Sequence, residues 1–443
     1  MLRWSVDDDF GVQGYSDSQR ELLDAESVTG HLLKADSVFA FLAAHRGELF
    51  PDELFFDLFP SGRGRPSVPA DVMAAVITLQ ALHGLSDSET VDAVTFDLRW
   101  KAACGLAVSA GAFHATTLTY WRRRLAASDR PNRIFEAVKA VVAATGVLAG
   151  KTRRALDSTV LDDAVALLAL IAGQDVEPAE GSDGTDGQWR ISQTVAPERV
   201  ISTVDPESRH VHKTPHRHQE GFKAHVAVEP DTGIITDCAL TKAAGVDNHE
   251  VAVGLDLLAC EPGPVTVLAD AAYGSGEFRA ELAARGHIDR VKPPLVQRRF
   301  AGGFTVDDFT VDHDNRTATC PNGLTRPISR SGRAFFGKAC SQCSLQARCT
   351  RSRTGKNLLV GPHDARLRAA RQAARDPDWL SEYHQHRPMV ERTIAWLTRG
   401  NRRLRYRGTI KNGHWLHHRV AAINLRRLIM LGLNHTGTNW AIA

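Results

Sequence analysis

Asp157, Asp270 and Glu391 are the acids whose surroundings could support chemistry on a phosphodiester. Ala155-Leu156-Asp157-Ser158-Thr159-Val160 reads as a buried strand carrying one acid, and Val265-Thr266-Val267-Leu268-Ala269-Asp270 as an apolar strand that ends in one. Carboxylate oxygens are the donors that hard divalent cations take. Two such ions roughly 3.5–4 Å apart stabilise the charge on the entering and leaving oxygens of an in-line displacement. Glu391 falls on a late helix, one turn after Arg387 on the same face. Alternatives stay open at each position. Asp157 could be a turn or cap residue, with Asp162 or Asp163 as the ligand instead, and Glu391 could simply pair with Arg387.

The elements that must position these acids follow from the pattern around them. Gly221 to Val228 alternates, Pro230-Asp231-Thr232-Gly233 is a turn, and Ile234 to Leu240 returns as a partner strand, which makes a hairpin. A helix over Glu250–Leu258, the strand ending at Asp270, and a further helix and strand complete a strand, hairpin, helix, strand, helix, strand order. In a sheet ordered 3-2-1-4-5 the first and fourth strands are parallel neighbours, and ligands gather beyond their carboxyl ends. Four segments result: 1–150, helical; 151–299, the first part of an α/β core; 300–360, a polar insertion with four cysteines; and 361–443, helical and Arg-rich, completing the core. An apolar helix is predicted through Ala172, followed by a flexible stretch from Gly173 to Gly187.

In the first segment, Ser67 and Pro69 open a helix that Gly84 ends, and Ser86 with Glu89 forms a capping box for the next. Helix, short turn, helix is a DNA-reading pattern and equally that of a plain bundle. Arg63 and Arg65 form a short basic arm of the kind that can enter a minor groove, or a solvated loop. Arg122, Arg123 and Arg124 occupy successive helical positions and fan around the axis, where they could meet phosphates.

Cys320, Cys340, Cys343 and Cys349 could close a tetrahedral thiolate site for structural Zn²⁺, stapling a segment too polar to bury a core of its own. Free reduced thiols are the alternative. Cys104, Cys238 and Cys260 are expected to pack as small apolar residues. The run His210, His212, His216 and His218 lacks a compact ligand pattern and reads as a solvated connector.

The formal net charge is only +3, but it is unevenly spread: Met1–Pro60 holds four Lys/Arg against twelve Asp/Glu, and Gly361–Ala443 fifteen against five. Arg in excess of Lys favours phosphate recognition, because the planar guanidinium reaches two oxygens at once. No stretch reaches the ~18 apolar residues of a membrane span, the longest run being Ala164–Ala172. The acidic start lacks an apolar core, and the seven cysteines are odd in number, so a reducing cytoplasmic setting is expected.

Several stretches together make the chain recognisable. GRGRPSVPADVMAAVITLQALHGLSDSE, LDST at Asp157, GFKAH and its hairpin, LADAAYGS at Asp270, the cysteine-bearing insert, and YHQHRPMVERTIAWLTRGNRRLRYRG followed by NLRRL resemble bacterial insertion-sequence transposases of the DDE class, specifically the group numbered eleven eighty-two. The resemblance covers most of the chain. It implies an α/β RNase H-like core, a mixed five-stranded sheet flanked by helices, with an N-terminal all-α DNA-binding domain. It implies Asp157, Asp270 and Glu391 as ligands of two Mg²⁺ ions, with Mn²⁺ as a substitute, and double-stranded DNA as partner: the element's terminal repeats and the target. A homodimer or larger assembly on DNA follows from the need to hold two ends, and association with the nucleoid from binding DNA.

The group's broader Tyr, Arg, Glu, Lys signature is only partly kept. Arg387 and Glu391 hold their spacing, but Tyr383 is one position early, with His384 in its place, and the basic Arg399 is one position late. At roughly 100° per residue these shifts turn both away from Glu391. Arg387 is expected to clamp phosphate, with Arg399, Arg402 and Arg403 as further DNA contacts and Tyr273 and Tyr383 as supports. The rival readings are a transposase-derived DNA-binding regulator that no longer cuts and a carboxylate hydrolase acting on another substrate, for which the Arg-rich tail has no use.

Overall fold

The computed structural model describes residues 12–16, 23–61, 63–163, 176–178, 189–191, 205–214, 217–398, 403–437 and 439–442. The chain is mixed α/β and forms two compact units, neither continuous in sequence. One comprises Met1–Lys151, Asp157–His249 and Met389–Ala443; the other comprises Thr152–Leu156 and Glu250–Pro388. The strand Arg153–Asp163 and the helix Pro377–Thr398 each begin in the second unit and end in the first. No helix among the described residues is long and apolar enough to cross a membrane.

In the first unit the helix Ala70–His83 is buried on nearly every side, from Ala70 through Ala81, as its predominance of small and branched apolar residues requires. Gly84 ends it in the left-handed region at φ 68°, where a side chain would be strained. The capping box is formed as the sequence predicts, with Ser86 and Glu89 each bonding the other's backbone N–H, and it opens the helix Asp87–Phe96. The start of Ala70–His83 departs from expectation. Pro66–Pro69 is a short strand paired in parallel with Val12–Gly14, and the Ser67 hydroxyl accepts from the Gly14 N–H at 3.0 Å instead of capping the helix.

The C-terminal helix Thr409–Met430 packs on Ala70–His83, on Arg133–Ala144 and on the strand Ile234–Lys242. Leu416, Val420, Ala421, Ala422, Leu425 and Leu428 are fully buried. Its first turn is held by Glu207, which accepts from the Thr409 N–H and hydroxyl at 2.6 Å each. These bonds, with the exposed N–H groups of a helix start, hold Glu207 below the usual carboxylate range.

The hairpin is present: Arg217–Glu229 and Ile234–Lys242 pair antiparallel from Phe222↔Lys242 to Glu229↔Ile234, and Gly233 closes the turn at φ 72°. The His-rich run is corrected. Arg209–Thr214 is a strand paired with Arg217–Gly221, with His210 opposite Glu220 and His212 opposite His218, so a ladder stands where a connector was expected. His216 lies outside the described residues, as does the predicted helix 164–172. Within the stretch expected to be flexible, Val176–Pro178 pairs with Trp189–Ile191.

In the second unit three parallel strands lie side by side. Thr266–Ala269 is flanked by Ile288–Val291 and by Arg153–Leu156, in the register Arg153↔Thr266 to Leu156↔Ala269. The helices Glu250–Leu257 and Gly276–Ala284 precede and follow Thr266–Ala269 in sequence, the latter capped by the Ser275 hydroxyl, which accepts from the Phe278 N–H at 3.1 Å.

The insertion also departs from expectation. It buries a small core of Phe309, Ala318, Ala334, Phe336, Leu358 and Val360 between the ladders Thr310–Asp312/Thr317–Thr319/Thr325–Pro327 and Arg333–Phe335/Asn357–Leu359. Arg368 ties it to the helix Asp364–Ala373 by donating to the carbonyls of Val306 at 2.7 Å and Phe309 at 2.8 Å. The apolar residues occur singly in polar sequence, which hides a core that only strand pairing assembles.

Candidate active site and basic surface

The second unit brings Asp270, Arg387, Tyr383 and Tyr273 together around the carboxyl ends of two strands. Asp270 follows the last paired residue of its strand, and its Oδ1 accepts from the Ala272 N–H at 2.9 Å. Its side chain is 43% exposed, and its Oδ2 stands 3.7 Å from Arg387 Nη2. Arg387, only 6% exposed, donates through Nη1 to the main-chain oxygen of Leu156 at 2.6 Å. One guanidinium therefore reaches the ends of both strands.

Tyr383 is buried, stacks on Trp379 at 5.2 Å, and donates its hydroxyl to the Ala269 carbonyl at 3.3 Å. It braces the residue before Asp270. Tyr273 is fully buried against Phe278, and a Cβ added at Gly254 would lie 2.8 Å from its ring. A glycine in the middle of the helix Glu250–Leu257 is needed for that close approach. Beside these groups, Glu382 bonds Arg290 at 2.8 Å and pairs with Arg153 at 3.6 Å. Burial alone would raise Glu382, but the two cations outweigh it and hold the carboxyl below its ordinary range.

In the first unit, Asp157 Oδ1 accepts from the Ser158 N–H at 2.8 Å and the side chain is half-buried. Glu391 is exposed on the helix Pro377–Thr398. Pro388, three residues before it, has no N–H to offer the His384 carbonyl, so that helix loses one hydrogen bond next to the acid. Carboxylates with open oxygens, as at Asp270 and Glu391, are chemically suited to a hard divalent cation.

The arginines of the helix Ala115–Ala127 divide. Arg122 is committed to Asp87, at 3.0 Å from Nη1, and Arg124 covers the Phe59 ring at 5.0 Å while donating to the Leu58 carbonyl at 2.6 Å. Arg123 is exposed. Arg122 and Arg123 line a cavity shared with Arg405, Tyr406, Lys411 and Trp415. Arg405 and Lys411 were missed from sequence because they lie beyond the recognised arginine cluster of the helix. The exposed residues of the helix Asp87–Phe96 are Ser88, Glu89, Asp92 and Phe96, none of them cationic. Arg63 is exposed and Arg65 half-buried just before the strand Pro66–Pro69, and Arg403 pairs in register with Asp162. Arg399 and Arg402 lie outside the described residues.

All four insertion cysteines line one cavity, with Phe304, Phe336 and Lys356. The thiols are free, and Cys340 Sγ accepts from the Lys356 N–H at 3.4 Å. Burial pushes the Cys349 thiol up against the pull of Lys356. Cys104 and Cys238 are buried as expected, and burial raises Cys104 to about 12. Cys260 is exposed, which corrects its assignment to the interior: it falls past the end of Glu250–Leu257, beyond the helix face that packs.

Comparison with known proteins gives two family matches. One, described as Transposase DDE domain, covers residues 319–429; the other, described as Transposase domain (DUF772), covers residues 32–124. Glu391 and the four insertion cysteines fall within the first, whereas Asp157 and Asp270 fall in neither. Among solved structures the chain is similar to a piggyBac transposase synaptic complex with hairpin DNA, at 9% identity and a TM-score of 0.35, over 90% of this chain and 77% of that one. No curated protein matches.

Proposed function

Because the chain belongs to the DDE transposases of insertion sequences, we propose that it cuts DNA at the ends of its own element and joins them to a target, using Asp157, Asp270 and Glu391 within an RNase H-like core. The observation that carries this reading is the register of two parallel strands. Their last pair is Leu156↔Ala269, and the next residue on each is an aspartate, Asp157 and Asp270. When bound, two divalent ions, Mg²⁺ or in its place Mn²⁺, supply the charge that stabilises the attacking and leaving oxygens. The chain's own residues do the positioning. Arg387 fixes the end of the strand before Asp157 through the Leu156 carbonyl and tempers the charge on Asp270; buried as it is, it serves the acids and not a distant phosphate. Tyr383 fixes the end of the strand before Asp270.

DNA is held by the basic surface at Arg123, Arg405 and Lys411, with Arg63, Arg65 and Arg403 as further contacts, and two element ends are held by a dimer or larger assembly on DNA. The test is nicking of DNA carrying the element's own ends. Asp157→Asn, Asp270→Asn and Glu391→Gln should each abolish nicking and leave retardation of the DNA in a gel unchanged, with affinity falling steeply as salt rises. Nicking that survives Asp270→Asn would overturn the assignment and favour a DNA-binding regulator.

The four insertion thiols line one cavity and are soft donors of the kind structural Zn²⁺ takes, so zinc is the ion their chemistry suits. Such an ion would fasten the ladder carrying Cys320 to the turn carrying Cys340 and Cys343. Cys340→Ser/Cys343→Ser protein should hold one zinc ion fewer and melt at lower temperature; unchanged zinc content would exclude the site.

A further inference from the structure

Besides these acids and thiols, the first unit holds a further group of metal-ligating side chains. His45, Glu48 and His435 each direct a ligand atom so that all three lie within 4.8 Å of one another. Two come from the helix Val38–Leu49, three residues apart and so on one face. The third comes from the strand Leu433–Thr436 of the C-terminal hairpin. The helix is broken where it presents the imidazole: His45 has φ −130° and ψ 16°, outside the helical region. Its Nδ1 is buried and has no hydrogen-bond partner, an arrangement that folded proteins rarely leave uncompensated. Trp440 closes the group from the opposite strand of the hairpin, with its ring 4.4 Å from that of His435 and 5.7 Å from that of His45, and Phe41 lies 5.6 Å from Trp440.

We propose that His45, Glu48 and His435 bind a divalent transition-metal ion that clips the C-terminal hairpin to the helix Val38–Leu49. Two imidazoles and one carboxylate form a donor set of borderline softness, which suits Zn²⁺ and its first-row neighbours and not the all-oxygen preference of Mg²⁺. Coordination through either ring nitrogen would fix an imidazole whose buried Nδ1 has no hydrogen-bond partner, and the aromatic wall limits the exchange of the ion's remaining ligands with water. The ion would be structural, because it joins two elements far apart in sequence.

The test uses the full chain, stripped with chelator and reloaded with zinc alone. Wild-type protein should retain one more equivalent of zinc than His435→Gln or His45→Gln protein, and its melting temperature should rise further on zinc addition, since an ion that binds only the folded form stabilises it by mass action. Cys340→Ser/Cys343→Ser protein should keep the equivalent that the histidine variants lose, which separates this site from the thiols. Equal zinc content and equal zinc-dependent melting in wild-type and histidine variants would overturn the proposal. Glu48→Gln changes an exposed side chain and leaves the packing intact, so it decides the matter should the histidine variants fold poorly: weakened zinc binding supports the site, and unaltered binding refutes it.

Discussion

Arg387 donates to the Leu156 carbonyl at 2.6 Å while its other terminal nitrogen stands 3.7 Å from Asp270, so a single buried cation spans two parallel strands at the point where their pairing stops. The Leu156 carbonyl needs a donor where the pairing with the neighbouring strand stops, and Asp270, at 43% exposure, gains from a cation that tempers its charge. The guanidinium answers both needs because its planar fork offers separate nitrogens in fixed directions. Lysine, a single point charge, can serve only one.

Arg387→Ala should therefore slow nicking of element-end DNA by roughly 10²-fold, the scale seen on losing one preorganised electrostatic partner, with DNA retardation unchanged. Arg387→Lys should recover part of the loss. Single-turnover nicking on preformed complexes is the measurement, and wild-type rates in the alanine variant would remove Arg387 from the site.

Asn424, fully buried on the C-terminal helix, accepts from the Ile235 N–H at 2.9 Å and donates to the Ile235 carbonyl at 2.8 Å. Replacing it with leucine strands two backbone groups inside the core. Asn424→Leu should lower stability by about 2–5 kcal/mol, at about 1–3 kcal/mol for each group left unpaired. Urea denaturation followed by fluorescence would register it, and an unchanged midpoint would contradict the pairing.

Gly254→Ala should destabilise by about 1–3 kcal/mol through overpacking. The new Cβ would lie 2.8 Å from the Tyr273 ring and 3.3 Å from Leu156 Cδ1, and Tyr273 is too deeply buried to swing aside. Combining it with Tyr273→Leu should cost less than the two changes added separately, because one relieves the clash the other creates. Strict additivity in a double-mutant cycle would show that the two residues do not meet.

His418 is fully buried on the C-terminal helix, and burial lowers its pKa to about 3, with His414 and His417 pressing the same way. The unfolded chain takes up a proton near pH 6.5, where the folded chain does not. Stability from this group is therefore complete above pH 6.5 and declines as pH falls toward 3. At pH 5 the loss is about 2 kcal/mol from His418 alone. Thermal melts from pH 7.5 to 5 should show the decline in wild-type protein and a shallower one in His418→Leu; parallel curves would disprove the assignment.

Local chemistry was the legible part of this chain. The Ser86/Glu89 capping box, the Gly84 stop, the hairpin turn at Gly233 and the strand that ends at Asp270 are each specified within a few residues, and each stands where the sequence puts it. What escaped notice depends on partners distant in sequence. The stretch with His210 and His212 reads as a connector until the strand Arg217–Glu229 is seen paired with it. Phe309, Phe336 and Leu358 are solitary in polar surroundings until two ladders bring them together. Ser67 looked like a helix cap because the strand Val12–Gly14 that claims its hydroxyl lies far upstream. At the site, the acids were legible as types in a setting, but the work of Arg387 was not, since the spacing to Glu391 suggests a partner one turn away and gives no hint of the Leu156 carbonyl.

The interleaving of the two units bears on how the chain is made. The first unit draws on segments far apart in the chain, and the apolar helix Ala70–His83 is partly covered by Thr409–Met430, which is synthesised long after it. Until then the face of that helix that meets Thr409–Met430 is bare, and a product cut short before Met389 never covers it. Such fragments would be prey for chaperones and proteases, so premature termination of translation could not furnish a durable, shortened competitor of the longer chain.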